Sequence, residues 1–113
     1  MILIRYKLEN TITKEVEYKI YSLESIEREG LSALFDVAMY NILSRDEYTY
    51  FNTHNLEKIF NGDHISQYNH DSDTYSEGLV TWSNFEAAWV IVSKDGYETR
   101  LYKYHNKYLI KDV

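Results

Sequence analysis

Cysteine and proline are both missing from these 113 residues, and glycine occurs only four times. Without cysteine there is no disulfide, no thiolate metal site and no cysteine nucleophile. Without proline no X-Pro isomerisation slows folding. So few glycines leave no G-x-G-x-x-G fingerprint, no P-loop and no G-x-S-x-G nucleophile elbow. No apolar run approaches the roughly 20 residues of a membrane-crossing helix. The opening MILIRYKLEN meets charge at Arg5 before a signal-peptide apolar stretch can form. These absences together point to the cytoplasm.

One further absence is local. Between Lys58 and Lys94 there is no lysine or arginine, while Asp63, Asp71, Asp73, Glu77 and Glu86 supply five negative charges. The whole chain carries a net charge of −6, so the remainder is close to neutral. An acidic balance argues against nonspecific binding to nucleic acid or to an anionic membrane, both of which reward a basic surface. At its densest, NHDSDTYSEG (69–78), the window holds three of these carboxylates and a histidine.

What is present fits one globular domain. The hydrophobic share is 44%, the charged share 27%, and tyrosine occurs 12 times. Tyrosine joins apolar area to a polar tip and suits half-buried sheet faces and interfaces. Ile2, Ile4, Tyr6 and Leu8 alternate in one run, and Val16, Tyr18 and Ile20 alternate against Glu15, Glu17 and Lys19 in a second. Period-two runs joined around residues 10–14 predict an N-terminal hairpin. Its outer face would pair Arg5 and Lys7 with Glu15 and Glu17.

From Ser22, a plausible N-cap with Glu24 in the first turn, the period lengthens. Leu23, Ile26, Leu31, Leu34, Phe35, Ala38, Ile42 and Leu43 recur at helical steps and predict a helix over residues 23–44, flawed at Gly30. Gly30 either divides a short helix from a longer one re-capped by Ser32 or is simply tolerated. Residues 55–60 could add a helical turn between Thr53 and Gly62. Residues 61–78 read as an exposed acidic loop. Residues 89–92, 97–104 and 108–110 have strand character, with an Asp-Gly turn at Asp95-Gly96. Ser83-Asn84-Phe85-Glu86 matches a capping box. The expectation is a single α+β domain of residues 1–113. An antiparallel sheet of about four or five strands, the N-terminal hairpin plus a C-terminal meander, would lie on one main helix.

The candidate chemistry is limited. His54, His64 and His70 with Asp63, Asp71 and Asp73 are ligand types for a divalent ion, and a metal reading would use His64 and His70 with Asp71 or Asp73. The spacing matches no zinc template. Asp71-Ser72-Asp73 begins like a calcium loop but then presents Ser76 where glycine is needed and Trp82 where glutamate is needed. Serines 66, 72, 76 and 83 near these groups carry no hydrolase signature. Near the C-terminus Arg100, Lys103, Lys107 and Lys111 interleave with Tyr97, Tyr102, Tyr104 and Tyr108, an arrangement able to contact phosphate.

A docking surface explains more of the pattern. Unopposed carboxylates steer a basic partner, and Tyr68 and Tyr75 among them supply anchors. The expected partner-binding residues are Asp63, Tyr68, Asp71, Asp73, Tyr75 and Glu77, with no catalytic residue and no cofactor. The size and acidity resemble those of small inhibitors from mobile elements and of immunity proteins. The expected function is thus a non-enzymatic inhibitor or adaptor docking on a basic protein surface, such as the cleft of a nucleic-acid-binding protein. The alternatives are a small metal-binding module or metal-dependent hydrolase, and a structural subunit of a homo-oligomer joined through the C-terminal tyrosines.

Overall fold

The computed structural model describes residues 1–69 and 71–101, and the backbone of residues 106–110. Residues 1–48 make one compact unit and residues 49–113 a second. In the first, β1 (Leu3–Asn10) and β2 (Val16–Ser22) form the expected hairpin. Its turn is held by the Asn10 side chain, whose Oδ1 accepts from the amides of Ile12 at 2.8 Å and Thr13 at 3.0 Å. Two short helices follow, α1 (Leu23–Glu29) and α2 (Leu31–Leu34), and then β3 (Tyr40–Asn52), which pairs antiparallel with the other side of β1.

The hairpin register corrects the expected faces. Leu3 lies opposite Ser22 and Glu9 opposite Val16, so an even-numbered residue of β1 always faces an odd-numbered residue of β2. Ile4, Tyr6 and Leu8 are buried with Phe35, joined by the half-buried Tyr21, Leu23, Ile26, Leu31, Leu34 and Tyr40. Val16, Tyr18 and Ile20 therefore occupy the opposite face, each nearly half exposed. Glu17 cannot meet Arg5 or Lys7 there. Arg5 instead donates to Asp46 of β3 at 2.9 Å, in a largely buried ion pair that Ser44 Oγ also supports at 3.1 Å.

The expected α+β arrangement on one main helix is overturned. The protein is mostly strand, in two antiparallel sheets, and its helices are seven and four residues long. Ser22 does cap α1, its Oγ accepting from the Ser25 amide at 3.1 Å. At Gly30 the backbone turns to φ 80°, ψ 156°, a conformation essentially reserved for glycine, and the helix stops. Gly30, not Ser32, precedes α2. The apolar residues beyond it are shared between a stub helix and β3, whose tyrosines, Ile42, Thr49 and Phe51 are strand formers.

In the second unit the chain turns at residues 53–57, where the Thr53 hydroxyl accepts from the Glu57 amide at 3.2 Å. No helical turn forms at 55–60; β4 (Lys58–Phe60) does, completing the sheet order β2-β1-β3-β4. The second sheet has the order β8-β7-β6-β5-β9, with β5 (His64–Asn69), β6 (Thr74–Ser83), β7 (Ala88–Val92), β8 (Glu98–Arg100) and β9 (Asn106–Ile110). Its core is Ile59, Ile65, Val80, Ile91 and Leu101, with Phe51 and Trp89 packed against them.

Residues 61–78, expected as one exposed loop, are thus mainly a hairpin. The Ser83 capping bond exists, Oγ accepting from the Glu86 amide at 3.1 Å, yet it closes the β6–β7 turn rather than a helix. Lys94-Asp95-Gly96 turns the chain between β7 and β8 as expected, with Gly96 at φ 84°. The strand expected over 97–104 is present as β8 for three residues, and residues 102–105 lie outside the described ones. β9 passes the meander and pairs with β5 at the far edge. Among the described residues no helix is long and apolar enough to cross a membrane.

Candidate functional site

The β5–β6 hairpin gathers most of the sequence candidates. Its register sets His64 against Leu79, Ser66 against Glu77 and Tyr68 against Tyr75. Opposed residues of an antiparallel pair share a face, and alternate residues along each strand return to it. His64, Ser66, Tyr68, Tyr75, Glu77 and Leu79 therefore lie on one side of the sheet. The other side carries Ile65 and Val80 into the core.

On this outer side Tyr75 is 61% and Leu79 52% exposed, while Tyr68 is half-buried beneath its neighbour with ring centroids 5.2 Å apart. The Tyr68 hydroxyl donates to Asp73 at the end of the hairpin turn. That bond favours the neutral phenol. It pushes the Tyr68 pKa above the usual tyrosine value, with burial and then Tyr75 adding to the effect. The ring is held from both ends before any partner arrives.

The turn itself is built by Asn69. Its Oδ1 accepts from the Asp71 amide at 2.9 Å and the Ser72 amide at 3.4 Å, and Asp73 adopts φ 50°. Asn and Asp tolerate this left-handed backbone better than most residues. Asp71 is left exposed at the tip. Asp63 is used differently. Its Oδ2 accepts from the Phe60 amide at 2.8 Å, its own amide donates to Phe60 O at 3.1 Å, and its carbonyl accepts from Val80 at 2.8 Å. It ties the β4–β5 turn together and does not stand with the tyrosines.

Among the described members of the metal set, His64 stands apart from the two aspartates. His64 begins β5, whereas Asp71 and Asp73 lie past its other end, roughly 16 Å away at the rise of a strand. His64 Nε2 is 3.8 Å from Glu77 Oε1, and among the described residues no three histidine or carboxylate groups assemble for a metal. His70 lies outside the described residues. Of the C-terminal basic cluster, Arg100 pairs with Glu86 through Nε at 3.0 Å and Nη2 at 2.8 Å. Tyr97 is exposed in the β7–β8 turn. Tyr102, Lys103, Tyr104, Lys111 and the side chains of Lys107 and Tyr108 lie outside the described residues.

Two contributors escaped the sequence reading. Leu79 adds exposed apolar area beside Glu77, and Ser66, 3% exposed, floors the same face. Their signal was the alternation Tyr75, Glu77, Leu79 against Gly78, Val80, Trp82, flanking the polar turn at 69–74. No protein-family model, no curated protein and no solved structure matches this chain.

Proposed function

We propose that this chain is a non-catalytic protein-binding module, an inhibitor or adaptor, whose β5–β6 hairpin docks on a basic surface of a partner protein. One observation carries the reading: a pre-positioned tyrosine pair and an exposed leucine share a face with Glu77, with Asp73 and Asp71 at its end. Tyrosines held in place lose little side-chain entropy on binding and make effective anchors. Carboxylates beside them, in a window lacking lysine and arginine, accelerate encounter with a basic partner. A nucleic-acid-binding cleft is one such surface, and the cytoplasm is the compartment the composition favours. The binding residues are Tyr68, Tyr75, Asp71, Asp73, Glu77 and Leu79. Asp63 is left out because its carboxylate serves the β4–β5 turn.

The test captures partners from lysate on the native chain and then measures association and dissociation separately. Changing Asp71→Asn, Asp73→Asn and Glu77→Gln together slows association about tenfold or more at low salt and flattens its salt dependence. Tyr75→Ala, which leaves those charges in place, speeds dissociation. A salt slope and rates unchanged in both variants would remove the proposal.

A further inference from the structure

The β2 strand lies at the end of the order β2-β1-β3-β4, so one of its edges has no neighbour in the sheet. Which residues present that edge follows from the bonds bracketing the β1–β2 ladder. Asn10 N donates to Glu15 O at 2.9 Å, and Leu23 N donates to Ile2 O at 2.8 Å. Hydrogen-bonded pairs recur every second residue in an antiparallel ladder. Residues 15, 17, 19, 21 and 23 therefore turn their amides and carbonyls toward β1. Val16, Tyr18 and Ile20 turn theirs outward, where among the described residues nothing bonds them. The same three residues carry the exposed apolar side chains of this strand, at 47%, 48% and 47%.

We infer that this edge pairs with the same edge of a second copy of the chain, antiparallel, with the twofold axis at Tyr18. In that register Tyr18 faces Tyr18 of the other copy and Val16 faces Ile20. Every outward-pointing backbone group of the three residues then finds its partner. All six apolar side chains fall on one face as a continuous strip. Glu17 faces Lys19 on the other side, twice.

Charge selects this register from its neighbours. Moving the axis to Glu17 sets two glutamates in opposition, and moving it to Lys19 sets two lysines in opposition. Like charges directly opposed destabilise a strand pair. A one-residue offset would place outward-bonding residues against inward-bonding ones. Lys19 is also the kind of charge that blunts a sheet edge against stray pairing. A glutamate brought opposite removes that obstacle, and the strand itself provides one. The result is an isologous dimer with one sheet running through both copies.

Sedimentation velocity over a concentration series tests this, with circular dichroism confirming the fold of each variant. The native chain passes from one chain mass to two as concentration rises. Glu17→Lys and Lys19→Glu each weaken self-association at least about tenfold, since opposed charges become alike. An equimolar mixture of the two variants restores the two-chain species, and so does the double variant. Both residues also lie beside Tyr40, with the Lys19 ammonium 5.8 Å from its ring. Tyr18→Pro provides an independent variant. It removes an outward amide together with the ring that the Arg5 guanidinium covers at 4.8 Å, leaves the hydrogen bonds of the β1 ladder in place, and holds the chain monomeric. A native chain that stays at one chain mass up to about 1 mM overturns the inference. So does a mixture of the charge variants that remains monomeric, or a proline variant that dimerises like the native chain.

Discussion

At Gly78 an added Cβ would stand 2.1 Å from the Val92 carbonyl oxygen and 2.6 Å from its carbon. The obstacle is the backbone of the adjacent strand, which cannot rotate aside as a flexible side chain would. Gly78→Ala therefore forces β6 and β7 apart beside Val80 and Ile91, in the middle of the second core. The expected loss is about 1–3 kcal/mol, read as a lowered urea midpoint with an unchanged slope. A midpoint equal to that of the native chain would contradict the close approach. Gly78 belongs to the same strand as Tyr75, Glu77 and Leu79, so the proposed docking face depends on a residue that presents no side chain to it. Tyr75 and Glu77 were visible in the sequence as candidates; Leu79 and the arrangement of the three were not. The turn joining them has no Asn-Gly or Asp-Gly pair; an asparagine side chain and a left-handed Asp73 build it instead.

Among the elements, the hairpin and β7 were legible because apolar residues there are either strictly alternating or contiguous. The segment after Ser22 was not, since apolar spacing cannot separate one long helix from a short helix followed by a strand. The deciding fact is the backbone of Gly30, which a helix interior cannot adopt and which no other residue adopts comfortably. Open space surrounds that position, with nothing within 4 Å of an added Cβ, so strain alone sets the effect of a substitution. Gly30→Ala is expected to cost about 1–3 kcal/mol. If the aromatic cluster around Phe35 dictates the break, the far-ultraviolet spectrum gains no helix. A more stable and more helical variant would show that local propensity wins over packing. Faces were misread for a related reason. Parity within β2 was correct, but which parity is buried depends on the register with β1, and the turn at residues 10–15 sets it.

Across the whole molecule, each unit carries tyrosines whose neutral form the fold prefers. In the first unit, burial and then the Glu17 charge raise the Tyr21 pKa, and a hydrogen bond to Glu17, ahead of burial, raises that of Tyr40. In the second, the hydrogen bond to Asp73 leads for Tyr68. A phenol whose pKa is higher folded than unfolded holds its proton over a range where the unfolded chain has released it. Its contribution is complete below the unfolded value of about 10 and declines as pH rises through the folded value. Stability should therefore fall above pH about 10, in the same range where tyrosine ionisation deepens the negative charge. Urea midpoints measured across that range give the slope. Tyr68→Phe removes one of the three phenols and should make the decline shallower, even if the variant starts from a lower midpoint because Asp73 has lost its donor. A slope identical in the native and Tyr68→Phe proteins would mean that the bond to Asp73 does not hold the ring in solution. The pre-positioned tyrosine anchor of the proposed docking face would then lose its physical basis.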